Sequence, residues 1–72
     1  MDPAVAGALS RREREVLQAL TRGCRNKEIS VQLGVSVGTV KTHLRHIFRK
    51  LHVADRTAAV LIALQGKLPE AA

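Results

Sequence analysis

N-K-E-I-S-V-Q-L-G-V-S-V-G-T-V-K-T-H-L-R-H-I-F-R-K-L, from Asn26 to Leu51, reads as two short helices joined by a tight turn. Asn26 is the expected N-cap of the first. Ile29 and Leu33 lie four apart on its inner side, and Gly34 is placed to take the left-handed conformation that closes it. Ser36 is the next expected N-cap, so only two or three residues separate the helices. In the second helix Val40, Leu44, Ile47 and Leu51 recur at i, i+4, i+7 and i+11, one narrow apolar stripe. Gly38, Thr42, Arg45 and Arg49 fall on the opposite face, with Lys41 at its shoulder. A compact helix pair with a cationic outer ridge suits the major groove of duplex DNA.

Charge supports that reading through its distribution. The 72 residues carry a formal charge of +6 and a pI near 10.8, a balance that favours polyanionic partners. No acid occurs between Glu28 and Asp55, whereas Lys41, Arg45, Arg49 and Lys50 cluster there with His43, His46 and His52. Arg11, Arg12 and Arg14 instead alternate with Glu13 and Glu15, which predicts local pairing rather than contact with a partner.

Outward from this motif the chain reads as a single all-α domain. Met1 to Ala8 is short and Pro/Gly-punctuated, with no stripe to bury, and reads as a tail or linker remnant. Ser10-x-x-Glu13 is a capping-box pattern opening a helix whose buried face is Val16, Leu17 and Leu20 and which Gly23 closes. Asp55 is placed to cap a last helix, with Arg56, Ala59, Val60 and Ala63 inward and Ala58, Leu61, Ile62 and Gln65 outward. That outward set is an apolar patch with no internal use, which points to a dimer interface. The expected organisation is therefore a tail over 1–8, a helix-turn-helix domain over 9–66 and a C-terminal tail over 67–72.

Other chemistry finds little support. There is no nucleophile–base pair and no glycine-rich phosphate loop after a strand, so no catalytic residue is assigned and no enzyme expected. His43 and His46 lie three apart, but Cys24 and His52 do not complete a standard ligand spacing, so neither metal nor cofactor is implied. The single cysteine excludes an internal disulfide. With no signal-peptide pattern and no apolar run of membrane-spanning length, a cytoplasmic location without membrane contact is the default expectation.

In register, these residues resemble the LuxR-type (GerE or NarL/FixJ type) helix-turn-helix domain. The matching positions are Leu9, Ser10, Arg12, Glu13, Glu15, Val16 and Leu17; Gly23 and Asn26 to Ile29; Leu33 and Ser36; Thr39-Val40-Lys41-x-His43; Ile47, Lys50 and Leu51; and Val53, Arg56, Ala59 and Val60. The resemblance implies a four-helix bundle that reads double-stranded DNA for transcription regulation, often as a homodimer through its last helix. It implies base reading by Lys41, Thr42 and Arg45. Lys or Arg can donate to guanine O6 and N7, and Thr can serve either base type. Asn26, Lys27, Ser36, Thr39, His43, Arg49 and Lys50 are the expected phosphate contacts, set around helix N-termini and the rim of the cationic face. RNA polymerase is a further candidate partner. Competing readings are a sigma-factor-like promoter-recognition region, a basic amphipathic module at a membrane surface, and a protein-interaction module acting through the last helix.

Overall fold

A computed structural model describes residues 3–65, and every regular element among them is an α-helix. The helices are α1 (Pro3–Ala8), α2 (Arg11–Thr21), α3 (Asn26–Leu33), α4 (Val37–Leu51) and α5 (Arg56–Gln65). The sequence reading of 67–72 as a tail lies outside the described residues. Helices α2 to α5 form the four-helix bundle: α2 packs on α4 and α5, α3 lies across α4, and α5 closes against α4. Val16, Leu17, Leu20, Ile29, Val40, Ile47, Leu51 and Ala59 form a core that excludes water almost entirely.

Local chemistry explains where each helix begins. Ser10 and Glu13 form the reciprocal capping box: Glu13 N–H donates to Ser10 Oγ at 3.2 Å, and Ser10 N–H donates to Glu13 Oε1 at 2.8 Å. Ser36 Oγ accepts from Thr39 N–H at 3.0 Å, and Asp55 Oδ1 accepts from Ala58 N–H at 2.8 Å. The start of α3 differs from the sequence expectation. Arg25, not Asn26, is its N-cap. An arginine side chain cannot accept a hydrogen bond, so the end is satisfied from inside the helix, where Glu28 Oε1 takes the Arg25 N–H at 2.8 Å. Asn26 becomes the first helical residue.

Three helices end in the same way. Gly23, Gly34 and His52 have φ of 79°, 68° and 57°, and the next N–H in each case reaches back five residues to the helix, at 3.0–3.1 Å. This closure satisfies carbonyls that the last turn leaves orphaned. Only the third site carries a side chain in the left-handed region.

Two further expectations need correction. Residues 3–8 form α1, with Val5 fully buried against the bundle, so this segment is not a featureless tail. Six residues are too few to show a stripe in the sequence. Ile62 is only 8% exposed and belongs to the core rather than to the outer face of α5. Ala58 is half-buried, while Leu61, Leu64 and Gln65 are exposed. The outer face is thus turned by about 60° from the expected one, at 100° per residue.

Candidate nucleic-acid interface

The apolar stripe of α4 is buried in the core, which fixes what its other face presents. Gly38, Lys41, Thr42, Arg45 and Arg49 are all exposed, together on the side opposite Val40, Leu44, Ile47 and Leu51. At 100° per residue these five fall within an arc of about 100°. The helix has 15 residues, about 22 Å at 1.5 Å per residue, and is long enough to lie along a groove. Thr42 Oγ1 donates to the Gly38 carbonyl at 3.1 Å, so its lone pairs remain to accept. Lys41 and Arg45 flank it with long cationic side chains.

The start of α4 is preorganised for an anion. Ser36 Oγ donates to Thr39 Oγ1 at 3.0 Å as well as accepting from the Thr39 N–H. Val40 N–H bonds the Ser36 carbonyl at 3.1 Å. Of the first four helical N–H groups, those of Val37 and Gly38 therefore still point out of the helix mouth, where the helix dipole is positive. A Cβ on Gly38 would meet only Ser36 Oγ, at 3.7 Å, so packing does not require glycine there.

Other expected phosphate contacts are distributed unevenly. Lys27 and Arg49 are exposed, and His43 is half-buried at the edge of α4. Asn26 is half-buried, and its Oδ1 accepts from the Arg56 guanidinium at 3.2 Å. The same guanidinium donates to the Cys24 carbonyl at 3.1 Å, so Arg56 ties the start of α5 to the turn before α3. Arg11 and Arg12 pair with Glu15 at 3.4 and 3.0 Å, and Arg14 donates to the Leu9 carbonyl at 3.0 Å.

Lys50, the remaining expected phosphate contact, is bonded within the protein. Its Nζ lies 2.7 Å from Glu13 Oε1 on α2, and Glu13 is 3% exposed. His46 Nδ1 stands 3.8 Å from the other carboxylate oxygen. Burial raises the Glu13 carboxyl, but the hydrogen bonds from Lys50 and the Ser10 N–H, with the ammonium charge, outweigh it and hold the group below its ordinary value. Beside this pair, His46, Arg49 and Lys50 line a recess of about 250 Å³. A larger open groove of about 880 Å³ runs along α3 past Arg25, Lys27, Glu28, Val31 and Gln32, and includes none of the α4 face.

Among the described residues no group of three His, Cys, Asp or Glu side chains is arranged to hold a metal ion. No described helix is long and apolar enough to cross a membrane.

Comparison with known proteins identifies the family. The family described as "Bacterial regulatory proteins, luxR family" matches residues 7–63. The transcriptional regulatory protein YhcZ of Bacillus subtilis is 48% identical over 60 residues, which cover 83% of this chain and 28% of that protein. The nitrate/nitrite response regulator protein NarP of Escherichia coli is 46% identical over 59 residues, covering 82% of this chain and 27% of NarP. The response regulator protein VraR of Staphylococcus aureus is 43% identical over 60 residues, covering 83% and 29%. The chain thus spans less than a third of the length of these relatives. The match over most of the chain places it among DNA-binding transcription regulators rather than enzymes, and the chain belongs to the luxR family of bacterial regulatory proteins.

Proposed function

We propose that α4 enters the major groove and reads a specific duplex sequence through Lys41, Thr42 and Arg45. The observation that carries this reading is the α4 face itself, exposed, cationic and free of acids, with its apolar side locked in the core. Base-reading side chains near the start of a recognition helix are the ones within reach of base edges. The mouth of α4, with Ser36, Thr39 and the bare Gly38 backbone, takes a phosphate. Lys27, His43 and Arg49 supply further rim contacts, and Asn26 contributes through the amide nitrogen that Arg56 leaves available. We leave Lys50 out of this set, a choice supported by its bond to Glu13.

The domain acts as a homodimer through α5. Leu61 and Leu64 are 52% and 68% exposed, one turn apart, beside Gln65 and the edge of Ala58. Paired recognition helices about 34–36 Å apart would read two half-sites. The regulator works in the cytoplasm, with RNA polymerase as the partner that its occupancy of a promoter influences.

Selection of bound duplexes from a random library, followed by Arg45→Ala, tests the assignment. Arg45→Ala is expected to cost about 1–3 kcal/mol on the selected site and to relax preference at one base position. A uniform loss on all duplexes would remove Arg45 from the readers.

A further inference from the structure

The bond between Glu13 and Lys50 joins residues 37 apart in sequence, at the edge of the face that meets DNA. Glu13 is buried on α2 and already accepts the Ser10 N–H, so its carboxylate cannot follow Lys50 outward. Lys50 is 42% exposed along its side chain and lines the recess with Arg49 and His46. Its ammonium therefore has two possible anions, the buried carboxylate at 2.7 Å and a backbone phosphate at the rim. Leaving Glu13 for phosphate would take the ammonium from a buried carboxylate and leave it the Ser10 N–H and His46 at 3.8 Å, a loss that exceeds what an exposed ion pair gains.

We propose that Glu13 is a specificity-determining residue that acts through Lys50: it holds the Lys50 ammonium out of the phosphate contacts and so limits sequence-independent binding. A duplex then gains one fewer counterion-releasing contact than the cation count of α4 suggests. Because phosphate contacts add affinity equally on all sequences, withholding one raises the share of binding carried by base contacts. The inference rests on the proposed approach of α4 to the duplex.

The test measures affinity for a mixed-sequence duplex over a salt series, with helicity followed at each point. Arg49→Gln reports whether α4 faces the duplex and is expected to lower the slope of log K against log salt by about 0.9. Glu13→Gln keeps an acceptor for Ser10 but removes the carboxylate charge that holds the Lys50 ammonium, and is expected to steepen the slope by about 0.9. Across a fourfold rise in salt that amounts to about 3.5-fold more loss of affinity than in the parent. Lys50→Gln is expected to leave the parent slope unchanged, and it decides the matter alone if Glu13→Gln does not fold. A lowered slope in Lys50→Gln would show Lys50 already on phosphate and overturn the proposal, as would an unchanged slope in folded Glu13→Gln. An unchanged slope in Arg49→Gln would overturn the docking of α4 itself, and the role of Glu13 with it.

Discussion

Neighbouring residues Leu61 and Ile62 should respond to truncation in opposite ways. Ile62 is 8% exposed against the core, and Ile62→Ala deletes three carbon groups there. At about 0.8 kcal/mol each the transfer loss is about 2.4 kcal/mol, and an unfilled cavity adds to it, giving a cost of about 2.5–4 kcal/mol. Domains are stable by about 0.05–0.15 kcal/mol per residue, so for 72 residues this is a large fraction of the total. Leu61 is 52% exposed, so the same deletion removes little buried area and costs under about 1 kcal/mol in the monomer. Urea unfolding at low micromolar protein keeps the dimer contribution small, since self-association stabilises by mass action. Sedimentation equilibrium then reads the other half of the contrast: Leu61→Asp should weaken self-association while leaving helicity intact. Equal unfolding costs for Ile62→Ala and Leu61→Ala would refute the assignment of these two faces. An unchanged monomer–dimer equilibrium in Leu61→Asp would remove α5 from the dimer interface.

The Glu13 carboxyl is held below its unfolded value, so it stabilises the fold above the unfolded carboxyl pKa, about 4.3, and that contribution is lost as pH falls through the lowered folded value. The urea midpoint should drop on acidification from about pH 5 to pH 3, and Glu13→Gln should flatten the drop; an equally steep drop in the variant would assign the acid sensitivity elsewhere. His52 closes α4 at φ 57° with a side chain in place, and His52→Gly should raise stability by about 0.5–1 kcal/mol, read as a higher melting temperature. A lower melting temperature would mean that the imidazole contributes more than the backbone strain costs.

What could be read from the sequence was local or strongly periodic. Ser10, Ser36 and Asp55 cap within three residues of themselves, and Gly23 and Gly34 mark closures that depend only on backbone chemistry. The stripe of α4 alternates sharply with charges, so its buried and exposed faces follow from spacing alone. In α5, by contrast, Ala58 to Leu64 is an unbroken apolar run, and periodicity cannot choose a face when nearly every position is apolar. The choice falls to packing against α2 and α4, which selects Ile62 over Leu61. The same holds for Asn26, whose cap-like chemistry yields to Arg56, a partner 30 residues away. Lys50 carries the point into function. Its place in the acid-free stretch makes it look like a phosphate ligand, because no acid lies on its own helix. The fold brings Glu13 to it, and a residue recognisable as a helix cap acquires a second role. If Glu13 withholds Lys50 as proposed, counting cations along α4 overestimates the charge this face offers to DNA, and the salt dependence of binding is where the difference becomes measurable.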